Sequence, residues 1–253
     1  MALQNRILRM QQDLGRALKK PPKKRSWVMV IDIDRCIGCH ACTISCKAEN
    51  VAPPGVSYRV VKEAEAGQFP NVKHFFMPTN CQQCDNPPCV KGLKKNMYTK
   101  RPDGILVFHY DQLRGKDLFK KVQSQCPYTA VYYDDGRFYT EDTPRFAPYE
   151  ARYSFEYGKR WRRKGPGPSP IGAVRKCHFC LHRLEAEMLP ACVTTCVGGA
   201  MHFGDKNDPE SLVNQLIRGR QTLRINEAEG TEPRVIYVTG VVATVDNCME
   251  CHG

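Results

Sequence analysis

The run Cys36-x-x-Cys39-x-x-Cys42-x-x-x-Cys46 restricts what this chain can fold into more than any other feature. Spacings this short let successive thiolates curl around one inorganic centre. In this pattern three cysteines hold one four-iron cluster and the fourth reaches another. Ile37, Gly38 and Ala41 fit a tight loop with small side chains close to the metal. Zinc also takes four thiolates, so a zinc-binding structural protein is the competing reading. The density of further cysteine groups favours iron and sulfur.

Cys81, Cys84 and Cys89 form C-x2-C-x4-C, with Pro87 and Pro88 stiffening the longer arm. Cys177, Cys180, Cys192 and Cys196 form C-x2-C-x11-C-x3-C, and Cys126 stands alone before Pro127. Where the second group asks for a fourth cysteine, Leu93 stands. With 14 cysteines, 19 glycines and 18 prolines in 253 residues, the chain suits a core built around inorganic centres. Each oxidised cluster with its thiolates carries about −2, so three would bring the formal net charge of +12 to about +6. The basic excess is therefore partly compensation for metal. No compact nucleic-acid-binding motif accompanies it, so no nucleic acid is expected as a partner.

Strands are expected at 27–34, 58–62, 73–77, 105–110, 130–133 and 234–239, and helices after the first cysteine loop, at 113–123 and at 209–224. Cysteine group, small helix and short strand recur, the habit of ferredoxin-type domains. The basic residues 1–26 read as an amphipathic helix or tail for docking on a partner. Leu3, Ile7, Met10 or Leu14, and Leu18 share a face, and Pro21 and Pro22 end it. Nothing there has the apolar stretch of a secretory signal. No run approaches the roughly 20 apolar residues of a membrane span, so no transmembrane segment is expected. Residues 135–173 are rich in Tyr, Phe, Arg and Pro without a period. They read as an extended arm that wraps a partner, with a disordered insert as the alternative.

The segments DRCIGCHACTISCKAEN, CQQCDNPPC, KCHFCLHRLEAEMLPACVTTC and EPRVIYVTG resemble, from about residue 27 to 240, one known family. It is that of the iron–sulfur beta subunits of complex iron–sulfur molybdoenzymes, among them dimethyl-sulfoxide, polysulfide, tetrathionate, arsenate and nitrate reductases. The resemblance implies an α+β fold of tandem ferredoxin-like cluster-binding domains with inserted loops. Residues 27–80 and 174–240 would make the first half, with two clusters, and 81–134 a second, degenerate half with one.

The resemblance also implies how ligands are shared. Cys36, Cys39 and Cys42 would hold one 4Fe–4S cluster with Cys196. Cys177, Cys180 and Cys192 would hold a second with Cys46. Cys81, Cys84 and Cys89 would hold a third with Cys126. The family usually has one cluster more, which here would need Leu93 and cysteines in 112–122, where none exists. The missing cysteines are those of one whole cluster, whereas random decay would leave broken sets. In the family the lost position is the one farthest from the molybdenum.

The implied function is relay of single electrons between a molybdopterin-containing catalytic subunit and a second redox partner, a membrane quinol subunit or a cytochrome. No acid–base pair, nucleophile triad or nucleotide loop stands out, so the chain is not expected to be an enzyme by itself. A soluble polyferredoxin serving a non-molybdenum oxidoreductase is the alternative. Cys248, Cys251 and His252 in residues 241–253 spell C-x-x-C-H, a c-type haem attachment motif. A disulfide, free thiols or a shared zinc pair compete with it, and His74 or His202 is a candidate second axial ligand. The expected location is the periplasmic side of the membrane, by co-export with the catalytic subunit, with the cytoplasm as the alternative. His40 and His178, inside cysteine loops, are candidates for tuning cluster potential or for plain packing. His182 and Arg183 would link a cluster to the partner. Lys116, Lys120 and Lys121 either dock something or form a solvated helix face.

Overall fold

The computed structural model describes residues 3–240, so Cys248, Cys251 and His252 lie outside the described residues. The chain opens with helix α1 (Leu3–Leu18), strand β1 (Trp27–Asp32) and helix α2 (Ala41–Asn50). The hairpin β2 (Arg59–Ala66) and β3 (Lys73–Asn80) follows, then β4 (Tyr98–Lys100), β5 (Leu106–Phe108), helix α3 (Lys116–Ser124) and β6 (Tyr132–Tyr133). After them come β7 (Tyr153–Ser154), β8 (Trp161–Arg162), β9 (Val174–Arg175) and the short helices α4 (Leu181–Glu185) and α5 (Ala191–Thr194). The described part closes with β10 (Met201–Asp205), helix α6 (Leu212–Ile217), β11 (Gln221–Leu223) and β12 (Val235–Thr239).

The central sheet has the order β10-β1-β12-β11. Strand β1 runs antiparallel to β10 and parallel to β12. Every residue of β1 is buried, because both faces of the sheet are covered. That is why WVMVI shows no alternation of apolar and polar residues. Met29, Ile31, Val235 and Tyr237 face the large core, where Trp27 stacks on Phe203 at 5.4 Å. Val28, Val30, Ile236 and Val238 face α6 through Val213.

Two expectations about helices change. The expected helix at 209–224 stops at Ile217. Gly219 takes a left-handed φ of +71°, and Gln221–Leu223 then pairs with β12 as a sheet edge. The N-terminal helix is present, but its apolar stripe is not free for a partner. Met10, Leu14 and Ala17 are buried in the large core of their own chain. Asp13, also buried, accepts the Leu212 N–H at 2.8 Å and so ties α1 to the start of α6.

A second apolar cluster gathers Leu106, Phe108, Tyr110, Val122 and Trp161. Leu93, Leu118 and Phe119 pack against it, so the segment without cysteines is filled by hydrocarbon. The lysines of α3 point outward: Lys116, Lys120 and Lys121 are exposed. The arm at 135–173 is anchored within the chain. Glu150, Glu156, Trp161 and Arg163 are buried, and the Trp161 indole N–H donates to the Glu156 carbonyl at 3.0 Å. Tyr139, Tyr149 and Phe155 are its exposed aromatics.

Candidate metal centre

All twelve cysteines among the described residues are free of disulfides. They fall around three separate cavities. Cys36, Cys39, Cys42 and Cys196 line the first. Cys46, Cys177, Cys180 and Cys192 line the second. Cys81, Cys84, Cys89 and Cys126 line the third. Among the described residues, no three His, Cys, Asp or Glu side chains converge as a single ion requires. Each set instead lines a cavity of its own, and four thiolates around one space are the ligand set of a 4Fe–4S cluster.

The local fold explains how each set is assembled. Cys42 and Cys46 lie four residues apart on α2, about 6 Å along the axis, and serve different cavities. Cys192 on α5 and Cys196 just beyond it do the same in the opposite sense. α2 packs on α5, so the two helices exchange one cysteine each. The loops that bend around the cavities contain residues with left-handed backbone: His40, Gln83, Thr129, Phe179 and Cys180. Gly38 has the same conformation (φ +68°), and a Cβ there would meet the Phe76 ring at 2.6 Å.

The cavities follow one another in order. Lys176 lines the third while its neighbour Cys177 lines the second. Asn80 donates to the Cys177 sulfur at 3.7 Å, and its neighbour Cys81 lines the third cavity. The first lies nearest solvent, since Cys39 is exposed beside exposed Ile37 and Val197. A solvent-open groove with Val60, Tyr128 and Tyr132 in its wall flanks the third cavity and has no cysteine lining.

The surroundings fit anionic centres. N–H groups are aimed at sulfur: Ala200 donates to Cys196 at 3.2 Å and Asn50 to Cys46 at 3.5 Å. Arg59, wholly buried, reaches Cys192 at 3.5 Å, and its Nε and Nη1 have no hydrogen-bond partner among the described residues. Burial pushes the Cys42 thiol up to about 11 and Cys84 up to about 12. It raises Cys46, Cys89, Cys126 and Cys180 as well. Left alone these thiols keep their protons, and metal must displace them.

Beneath the second cavity lies a buried polar network. Arg175 donates to Asp134 at 2.6 Å, Glu156 at 2.7 Å, the Tyr58 hydroxyl at 2.7 Å and the Asn50 carbonyl at 2.9 Å. Arg163 binds Asp134 through two nitrogens, at 3.0 and 2.8 Å. Two guanidiniums thus balance two carboxylates. Burial works to raise the Glu156 carboxyl, but Arg175, His178 and Tyr58 hold it at about 2. Burial lowers His178 to about 4. Its Nδ1 accepts the Leu181 N–H at 3.0 Å, so Nε2 carries the proton and donates to Asn50 Oδ1 at 3.1 Å.

Several expectations move. His178 packs deep inside, whereas His40 is exposed on the rim of the first cavity. His182 and Arg183 turn inward and clamp Glu49 of α2, at 2.8 and 3.0 Å, instead of reaching out to a partner. His202 is buried against Arg6, and His74 is exposed on β3 beside Glu63. Sequence reasoning missed Arg59, Lys176 and the Arg175 network. Lys176 could have been noticed as the cation directly before Cys177, but nothing marks Arg59.

Comparison with known proteins agrees with this architecture. A family model described as a 4Fe-4S dicluster domain matches residues 72–142 and 169–206, and one described as a 4Fe-4S binding domain matches 27–48. A selenate reductase subunit of Mesobacillus selenatarsenatis is 50% identical over 92% of this chain and 78% of its own length. A tetrathionate reductase subunit of Salmonella typhimurium is 35% identical over 86% of this chain and 73% of its own. The arsenate respiratory reductase iron-sulfur subunit of Shewanella sp. is 32% identical over 83% and 94%. No helix among the described residues is long and apolar enough to cross a membrane. These likenesses set aside both the zinc-binding structural protein and the polyferredoxin of a non-molybdenum enzyme. The chain belongs to the iron–sulfur subunits of the complex iron–sulfur molybdoenzymes, non-catalytic electron-transfer proteins with ferredoxin-like domains that hold several 4Fe–4S clusters and accompany a catalytic molybdopterin subunit.

Proposed function

We propose that the chain holds three 4Fe–4S clusters and relays single electrons between the molybdopterin subunit and a second redox partner. Cys36, Cys39, Cys42 and Cys196 would hold the first cluster. Cys46, Cys177, Cys180 and Cys192 would hold the second, and Cys81, Cys84, Cys89 and Cys126 the third. The observation that carries this reading is the division of twelve cysteines into three sets of four, each around its own cavity. Each cluster supplies uptake and release of one electron. The chain supplies thiolates, N–H donors to sulfur and exclusion of water, which set its potential.

The line ends at the third position, because Leu93, Leu118 and Phe119 occupy the neighbouring space with apolar packing. The second partner, a membrane quinol subunit or a cytochrome, would meet the chain at that end. The sequence halves 27–80 with 174–240, and 81–134, would then carry two clusters and one. Exposed Tyr139, Tyr149 and Phe155 of the arm offer contact surface to a partner. Half identity with a selenate reductase subunit favours an oxyanion reductase as the complex served. The location that follows is the periplasmic side of the membrane, by co-export.

Cys248, Cys251 and His252 would attach a c-type haem. Gly240, the last described residue, donates its N–H to Asp34 at 2.8 Å, just ahead of Cys36. Purification of the complex tests the reading. The chain is expected to emerge brown, with acid-labile sulfide, together with a molybdopterin subunit. A colourless, zinc-loaded chain without that subunit would contradict it. Haem staining with intact mass tests the tail separately.

A further inference from the structure

We propose that Arg59 is a built-in counter-charge shared by the first and second cluster positions, and that it raises the reduction potentials of both. The inference rests on the three-cluster reading above.

Arg59 opens β2 and is 1% exposed. The buried guanidiniums of Arg163 and Arg175 are paired with Asp134 and Glu156. Arg59 differs. Its Nη2 donates to Met29 Sδ at 2.8 Å and to Cys192 Sγ at 3.5 Å. Its Nε and Nη1 are buried without a hydrogen-bond partner. Among the described residues no carboxylate forms an ion pair with it. A guanidinium does not shed its proton in a protein, and an apolar core does not tolerate an unpaired cation.

The anions within reach are sulfurs. Arg59 acts on Cys36 and Cys42 of the first set and on Cys46, Cys177 and Cys192 of the second. The cation that acts on Cys89 and Cys126 of the third set is Lys176. A cluster gains one negative charge on reduction, so a fixed positive charge beside it favours the reduced form. In a poorly screened interior that preference amounts to about tenfold or more. In the wall of the second cavity and with its charge felt at Cys36 and Cys42 of the first set, one side chain adjusts both together and leaves the third as an internal reference.

The test is a potentiometric titration followed by electron paramagnetic resonance on the iron-loaded chain. Wild type, Arg59→Met and Arg59→Lys are compared, with iron counted in each and the third signal identified by its loss in Cys126→Ser. In Arg59→Met the first and second signals are expected to move to lower potential by at least about 59 mV, a tenfold change in the ratio of reduced to oxidised cluster. The third is expected to hold its position, and Arg59→Lys to stay near wild type. Fully loaded Arg59→Met with unmoved first and second signals would overturn the proposal, as would an equal shift of all three. If Arg59→Met comes out short of iron, Arg59→Lys decides. Full iron and near-native potentials there support the charge requirement, and iron loss there too overturns it. A wild-type chain with far fewer than about twelve irons would instead sink the three-cluster reading itself.

Discussion

Cys42 and Cys46 illustrate how little sequence distance says about shared chemistry. They are four residues apart on one helix, yet they face different cavities. Cys42→Ser is therefore expected to alter the same spectroscopic signal as Cys196→Ser, and Cys46→Ser the signal altered by Cys177→Ser. Grouping by sequence run instead would speak against the exchange of cysteines between α2 and α5. Glu156 gives a second prediction. Its carboxyl lies at about 2 against an ordinary 4.5, so it stabilises the fold as the anion. That stabilisation is complete above about pH 4.5 and fades as pH falls towards 2. Glu156→Gln, which removes one partner of a buried pair, is expected to cost about 3–5 kcal/mol near neutral pH. In rates of thermal inactivation the gap from wild type should narrow as the pH drops below 4.5, and a gap that is constant with pH would contradict this. The cysteines were legible because their spacing is the chemistry. Arg59 and Glu156 were not, because a charged residue announces burial only once its neighbours are placed around it.

Elements were legible where one period dominated. The apolar stripe of α1 marked a helix, but a stripe does not say what covers it. Here the cover is the chain's own sheet edge and α6, which leaves the polar face outward. Leu14→Ala is expected to destabilise by about 2–5 kcal/mol, while Leu8→Ala, at a position 55% exposed, should stay within about 0.5 kcal/mol. Rates of thermal inactivation separate the two, since cofactor proteins of this kind unfold irreversibly. Equal effects would mean that α1 does not pack as described. The arm at 135–173 lacked any period because its anchors are scattered. Glu156 enters the interior from a tight turn, Trp161 from β8 and Arg163 from the residue after it, a pattern that only long-range contacts define.

At the scale of the whole molecule, the described residues form a sheet and several apolar clusters wrapped around three cysteine-lined cavities. Basic charge is distributed accordingly, part of it buried beside sulfur at Arg59 and Lys176 and part left on the surface of α3. The family resemblance extended to this level because the cysteine groups, Leu93 included, record how many centres the chain has ligands for. The order of the cavities came only once they were placed, with neighbours Lys176 and Cys177 lining different ones and Asn80 reaching the Cys177 sulfur. Iron per chain, measured on purified wild type and Cys126→Ser, tests the account most directly. About twelve irons, counted apart from haem iron, falling to about eight is the predicted result. A wild-type value near sixteen or near one, or a Cys126→Ser value equal to wild type, would contradict it.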